Sequence, residues 1–321
     1  MATAVYDPTM TDPNRRKRDL EQRIRRDRRA VLVVNCRSRR ANRLRPRAEA
    51  LLRAGGFTIT TTYAVTDPGT LDAVLREAMA ERPPLLVLGS GDGTVASVVD
   101  HLAGTDTVLG YLPMGTTNNL ARSLGLPLRL DRAVGLLDSG QVADIDLGVA
   151  DGDYFANMAS IGVSVAVSDR TPHVLKRTLG RPAYALTGAA ALRTSEPFTA
   201  TVTVDGVEHR LRTHQLNIAN GSVHAGSRIA VDAGIDNGLL VAYPLGGPAR
   251  WSAVAATLGQ AVTPNRTLAR KGHLSGQRIE VVTDPPQPVE IDGETVGHTP
   301  VRLSVARNAL LVIVPPGFHD A

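Results

Sequence analysis

From residue 31 to residue 149, short apolar runs alternate with helical stripes. Residues 31–34, 57–63, 85–88, 108–112 and 142–149 are apolar or β-branched and bounded by turn residues, which predicts strands. Between the first two, a helix is expected to run to about Arg53 and to stop at Gly55-Gly56. Thr70 is the candidate cap of a helix whose apolar positions are Leu71, Val74, Leu75, Ala78 and Met79. Val95, Val98, Val99 and Leu102 recur at helical spacing, and further helices are expected from about Leu120 and Asp131. Strands alternating with helices predict a parallel sheet covered on both faces, with ligands beyond the carboxyl ends of its strands. After residue 150 the pattern changes to short alternating runs: 154–160, 199–204, 207–213, 215–220, 239–243, 277–282, 289–291, 301–305 and 310–314. Two helical inserts are expected near 174–192 and 249–260, and Asp205-Gly206 is a hairpin signal. The fold class predicted is α/β, a doubly wound parallel-sheet domain over 30–150 followed by a mainly antiparallel β-sandwich domain over 151–321. A cleft should lie between them, and residues 1–29 form a basic extension.

One loop in the first domain carries chemistry. Gly89-Ser90-Gly91-Asp92-Gly93-Thr94 joins a predicted strand to a predicted helix. Glycines there let backbone N–H groups approach a phosphate and permit positive φ. Asp92 would repel phosphate, so its natural partner is a shared cation, usually Mg²⁺. A plain strand-to-helix turn is the competing reading. The loop is neither the G-x-x-x-x-G-K-[ST] phosphate loop, absent from the chain, nor a dinucleotide fingerprint at the first strand.

Composition narrows the class. Hydrophobic content of 43% and charged content of 21% over 321 residues describe a soluble globular protein large enough for two cores. No apolar run reaches the roughly 18 residues of a membrane span, and the first thirty residues lack the apolar core of a signal peptide. The single Cys36 excludes an intrachain disulfide and fits a reducing cytoplasm. The net charge of +5 is concentrated in residues 1–30, where nine basic residues face five acidic ones. That segment is expected to be a solvated, partly helical extension, or to be drawn to an anionic membrane surface. Aromatic content of 3% leaves few stacking platforms, so nucleic acid is not an expected partner. His173, His214 and His224 show no zinc-type spacing.

The glycine loop resembles the GGDGT loop of the superfamily of diacylglycerol, sphingosine and NAD kinases, with Ser90 in place of the second glycine. Further stretches resemble the soluble bacterial-type diacylglycerol kinases in order. Leu112-Pro113-Met114-Gly115-Thr116-Thr117-Asn118-Asn119-Leu120-Ala121-Arg122 is similar to P-x-G-T-x-N-D-x-A-R, and Asp144-Ile145-Asp146-Leu147-Gly148 to a D-x-G strand. Residues 155–162 resemble F-x-N-x-x-x-x-G, and Lys176-Arg177-Thr178-Leu179-Gly180 with Tyr184 resembles K-R-x-x-G-x-x-x-Y. Asn220-Gly221, Asp236-Asn237-Gly238 and Asp292-Gly293-Glu294 follow. The chain departs from the family at the first loop, where Cys36 and Arg39 replace Pro and Gly. It departs again at Asn119 and Asn237, where Asp is common.

The resemblance implies an ATP-dependent lipid kinase that phosphorylates a hydroxyl of diacylglycerol or a related lipid, with ATP and Mg²⁺ as cofactors. It assigns Asn35, Ser38, Gly89, Gly91, Asp92, Gly93, Thr94, Gly115, Thr116 and Asn118 to the nucleotide. It places Asp92, Asp146, Asn119 and Asp236 around metal, with Asp292 as general base and Glu294 assisting. Without it, Asp292-Gly293 is a turn like Asp151-Gly152 and Asp205-Gly206. Lys176 and Arg177 are either a solvated helix face or phosphate contacts. The expected partner is a lipid at the membrane surface, met by a cytoplasmic, peripherally bound protein, with room for a homodimer. Two alternatives stay open: an NAD-kinase-like enzyme with a soluble substrate, and a catalytically silent lipid- or nucleotide-binding regulator.

Overall fold

The computed structural model describes residues 13–162, 195–224, 227–230, 233–244 and 272–320. Helix α1 (Pro13–Asp27) precedes β1 (Arg29–Asn35), α2 (Arg39–Ala54), β2 (Thr58–Val65), α3 (Leu71–Ala80) and β3 (Leu85–Ser90). Then come α4 (Val95–Leu102), β4 (Val108–Pro113), α5 (Asn119–Ser123), α6 (Leu130–Ser139) and β5 (Gln141–Ala150). β1 pairs in parallel with β2 and β3, and β3 with β4. Every residue of β3 and β4 is buried, as continuous apolar runs require in a sheet covered on both faces. Asn35, the glycine loop and the loop after Pro113 therefore emerge together at the carboxyl ends of three neighbouring strands.

The second domain comprises β6 (Asp153–Phe155), β7 (Met158–Gly162), β8 (Phe198–Val204), β9 (Val207–Thr213), β10 (Gln215–Ala219), β11 (Val223–His224) and β12 (Ser227–Arg228). It continues with β13 (Leu240–Pro244), β14 (Leu274–Gly276), β15 (Arg278–Asp284), β16 (Pro288–Ile291), β17 (Glu294–His298) and β18 (Val301–Val314). One sheet has the order β14-β13-β10-β7-β16-β17, with every pair antiparallel. It packs on the β8, β15 and β18 part of the other sheet through Ile161, Leu216, Ile218 and Ile291 on one side and Val202, Ile279, Val281 and Leu303 on the other. Strand β8 alternates buried and half-buried positions, the period of a strand with one face in the core. This is the predicted sandwich.

Three expectations change. The runs at 301–305 and 310–314 are one 14-residue strand, β18, with an irregularity between Ala306 and Leu310 around Asn308, whose φ is 51°. Its first half pairs with β15, and its second half lies parallel to β4 at Val312 and Leu109. Residues 310–314 thus complete the core of the first domain, and the division at 150 is crossed by the last strand. The basic extension, in its described part, is a helix packed on the first domain: Leu20 and Ile24 are buried in the same core. Most of its charges project outward, Lys17 excepted, while its apolar stripe has sheet to cover. Thr70 makes no side-chain cap; Asp67 instead accepts from the Gly69 N–H in the turn before α3. The predicted inserts at 174–192 and 249–260, with Lys176, Arg177 and Tyr184, lie outside the described residues.

Helix α1 is fastened by a buried ion pair. Lys17 Nζ lies 2.8 Å from Asp144 Oδ1 on β5 and 2.5 Å from Asp320 Oδ2 near the chain end. Burial works against the ammonium, but its bonds to the two carboxylates prevail and hold its pKa above the usual lysine value. Removing one partner of such a pair leaves an uncompensated charge in the interior. Lys17→Met should therefore cost about 3 kcal/mol in chemical denaturation, and Asp144→Leu in the same chain should recover most of it.

Candidate active site

The glycine loop and the loop after β4 touch through their backbones. A Cβ on Gly115 would stand 2.5 Å from the Cα of Gly91, and one on Gly89 would stand 2.8 Å from Met114 Cε. None of Gly89, Gly91 and Gly93 adopts the left-handed conformation that the sequence alone suggested, and Gly91 has φ −97°. Gly89 and Gly91 are needed for close approach; Gly93 has nothing within 4 Å of its Cβ position and opens to space. Asn118 secures the second loop. It is buried with φ 49°, and its side chain accepts from Gly115 N at 2.8 Å and donates to Gly115 O at 3.1 Å. Both of its polar atoms are therefore engaged inside the loop.

Asp92 sits between the loops rather than on an exposed tip. Its carboxylate accepts from the Thr117 hydroxyl at 2.7 Å and from the Leu120 N–H at 3.2 Å. Burial pushes its pKa above the ordinary carboxylate value, against the pull of those bonds and of the Asn118 and Asn119 N–H groups. Asn35 donates to the Thr94 hydroxyl at 2.6 Å and accepts from the Arg37 N–H. Ser38 accepts from Ala41 N as the cap of α2, and Thr116 is exposed at the loop tip. Arg40, which the sequence reading did not select, donates to Gly115 O at 3.0 Å.

Asp292 comes to this site from the second domain. It ends β16 with φ 44°, and its carboxylate accepts from three consecutive backbone N–H groups: Ala156 at 2.8 Å, Asn157 at 3.1 Å and Met158 at 2.9 Å. Burial pushes its pKa up to about 6 despite those three bonds, with the nearby charge of Asp92 adding to the rise. Glu294 lies exposed at the start of β17, its Oε1 3.5 Å from Ser97 Oγ on α4. Helix α4, which follows the Asp92 loop, and the Asp292-Gly293-Glu294 hairpin thus meet across the domain seam.

The expected metal set does not assemble as one group. Asp146 is buried with Oδ2 accepting from Gly238 N at 2.6 Å and Oδ1 from Asn308 N at 3.0 Å. It ties β5 to the 236–238 turn and to the irregularity in β18, one N–H on each oxygen. Asp236 is buried beside that turn. Among the described residues no group of three or more His, Cys, Asp or Glu could hold a metal. Asn119 is different: its Oδ1 is buried without a hydrogen-bond partner, one turn residue away from the Asp92 contacts. Mg²⁺ is commonly held by one or two protein carboxylates and substrate phosphates, and Asp92 with Asn119 fits that pattern better than the larger set.

The profile described as "Diacylglycerol kinase catalytic domain" matches residues 29–150, and that described as "YegS C-terminal NAD kinase beta sandwich-like domain" matches residues 157–314. The chain is 32% identical over 257 residues to a Pseudomonas aeruginosa protein named "Probable lipid kinase YegS-like", covering 78% of this chain and 83% of the relative. It is 28% identical over 265 residues to the "Diacylglycerol kinase" of Bacillus subtilis, covering 80% and 86%. A crystal structure of a diacylglycerol kinase from Bacillus anthracis superposes with a TM-score of 0.70 at 22% identity, over 90% of this chain and 97% of that one. The fold and site define a two-domain kinase. The chain belongs to the diacylglycerol kinase catalytic-domain family, in its YegS-like lipid kinase branch.

The two glycines of the loop crossing and the open one separate experimentally. Gly115→Ala drives a methyl group into backbone and should lose about 1–3 kcal/mol of stability. Gly93→Ala meets nothing and should shift stability by less than about 1 kcal/mol. Thermal and urea unfolding of both variants measure the contrast.

Proposed function

We propose that the protein transfers the γ-phosphoryl group of ATP to a hydroxyl of diacylglycerol or a related lipid. The observation that carries this reading is the hairpin carboxylate of Asp292, raised in pKa by burial and by the nearby charge of Asp92, in a chain whose relatives include a protein named as a probable lipid kinase. Gly91, Gly93 and Thr94 would cradle the phosphates, with Gly93 leaving the space that the phosphates need. Asn35 and Ser38 border that space, where each already serves the fold through Thr94 and Ala41. Thr116, exposed at the loop tip, is free to meet the nucleotide. Mg²⁺ arriving with the nucleotide would neutralise phosphate charge, and Asp92 with Asn119 would orient it. Phosphoryl transfer depends mainly on positioning and charge stabilisation, which two rigidly held loops supply.

Asp292 would take the proton of the acceptor hydroxyl. A carboxylate with a pKa of about 6 is ionised at neutral pH yet is a better base than an ordinary aspartate. Glu294, on the exposed side of the same hairpin, would assist at the rim. The lipid would be met at an anionic membrane surface, which the exposed arginines Arg37, Arg39 and Arg43 beside the site complement. No described helix is long and apolar enough to cross a membrane.

Turnover of ATP with a lipid panel in mixed micelles tests the reading. Asp292→Asn should reduce kcat by about 10²-fold or more, while Asp205→Asn, at a matched Asp-Gly hairpin, should change it little. Below its pKa Asp292 holds a proton and cannot accept another. Wild-type kcat/KM should therefore fall as pH drops through about 6, and the variant should lack that limb. Equal losses in both variants would assign Asp292 to hairpin integrity alone.

A further inference from the structure

The seam beside Asp292 holds polar side chains that neither the fold nor the proposed phosphoryl transfer uses. Phe155 belongs to the core of the second domain and Ala156 to that of the first, so residues 155–157 form the seam itself. Asn157 is 7% exposed, and neither its Oδ1 nor its Nδ2 has a hydrogen-bond partner. Its backbone is fully committed: its N–H donates to Asp292, and its carbonyl accepts from Asn220 N at 2.9 Å and Gly221 N at 3.2 Å. Asn220 in turn donates to the carbonyls of Asp146 and Ala156. Ser123, at the end of α5, faces the same corner. A Cβ on Gly221 would stand 3.0 Å from Ser123 Oγ and 3.8 Å from Ala156 O, and Ser123 Oγ is also buried without a partner. Helix α5 carries Ser123 at one end and, at the other, the Leu120 N–H that Asp92 accepts. Asn157 is thus joined to Asp292 through its backbone N–H, and Ser123 shares its short helix with the Leu120 N–H bound to Asp92, one from each domain.

Leaving such atoms unpaired costs about 1–3 kcal/mol for each group, so the site is built to receive a polar partner. We propose that Asn157 and Ser123 form the subsite for the acceptor head, and that this subsite suits a lipid with a second hydroxyl beside the reacting one. The inference rests on the kinase reading above and specifies its substrate. Both side chains are neutral, so they match hydroxyl and carbonyl groups better than a charged head. The count of donors and acceptors then selects among neutral heads. Asn157 supplies two donors and one acceptor whichever way its amide is turned, because both of its ends lack partners. Its acceptor end needs an O–H or N–H from the ligand. The reacting hydroxyl gives its proton to Asp292 as its oxygen bonds to the γ-phosphorus. The bond from that phosphorus to the β,γ-bridging oxygen breaks, and ADP leaves. A lipid with one hydroxyl has then no donor left for Asn157, whereas a vicinal diol has one.

The test uses the full chain with Mg-ATP and two probes in mixed micelles, 1-monooleoylglycerol as the diol and 1,2-dioleoylglycerol as the single alcohol. The wild-type kcat/KM should favour the diol. Ser123→Ala, on a half-buried helix end, and Asn157→Leu should each lower the diol-to-alcohol ratio, by about tenfold for the loss of one to two hydrogen bonds. Binding of a fluorescent ATP analogue by Ser123→Ala should stay at the wild-type value, and its thermal midpoint without lipid should rise, since the unpaired hydroxyl is gone. Should Asn157→Leu fail to fold, Ser123→Ala alone decides. A wild-type preference for the single alcohol, or variants that slow both lipids alike, would overturn the proposal and assign these atoms to a trapped water. If ATP binds but neither lipid turns over, the kinase reading itself falls and takes this inference with it.

Discussion

Two carboxylates carried by different domains, Asp92 and Asp292, lie near enough for the charge of the first to bear on the second, and each is held in place by backbone amides. Asp92 accepts from the Leu120 N–H and the Thr117 hydroxyl, while Asp292 accepts from the N–H groups of residues 156–158. Both pKa values are raised, burial being the largest cause in each. Such an arrangement opposes stability at neutral pH. The contribution of Asp292 is fully present below its unfolded value of 3.8 and is lost as pH rises through about 6. A hydroxyl, a phosphoryl group and a cation are what would relieve that opposition.

The amide cradle of Asp292 is not itself a mark of function. Asp151, Asp205 and Asp292 all begin Asp-Gly turns with φ between 44° and 49°. Each exchanges a pair of hydrogen bonds with one residue of a neighbouring strand: Asp151 with Arg302, Asp205 with Arg278, and Asp292 with Met158. The device is a general way to fasten a hairpin end to the next strand. Only at Asp292 is it half-buried and within reach of the charge of a second carboxylate. The same residues in the same geometry are exposed at two hairpin ends and half-buried at the third, where the proposed proton transfer would draw on the different solvent access and field.

Much of this was legible in the chain. Continuous apolar runs between helical stripes marked β1, β3 and β4, and the parallel sheet followed, with the glycine loop at a carboxyl end. Motif order brought Asp92 and Asp292 together although 200 residues separate them. What was not legible depended on partners in space. Asp146 reads in the sequence only as a candidate metal ligand in a D-x-G motif, and its further bonds to the N–H groups of Gly238 and Asn308 depend on segments far along the chain. Asn118 looked like a nucleotide contact, but it closes its own loop on Gly115. The charge of α1 masked a narrow apolar stripe, Leu20 and Ile24, that suffices to dock the helix once Lys17 finds Asp144. Ser123 and Asn157 carry no local signal, since an unpaired buried amide is visible only when all its neighbours are known.

Strand β18 gives these local facts their common frame. It pairs with β15 in the sandwich, with β5 along most of its length and with β4 in the first domain. The irregularity at Asn308 lets one strand serve both halves, and the N–H of Asn308 is bonded to Asp146, so the bend is fixed from β5. The two domains are therefore stations on one continuous ten-stranded sheet, and not separate bodies on a linker. Asp92 follows β3 of this sheet, while Asp292 follows β16 of the six-stranded sheet and is tied to the segment between β6 and β7 by the N–H groups of Ala156 and Asn157. A shift of one residue would turn every side chain of a strand to its opposite face. For a reaction whose catalysis rests on placement, such a frame contributes what a flexible hinge would have to recover from substrate binding energy.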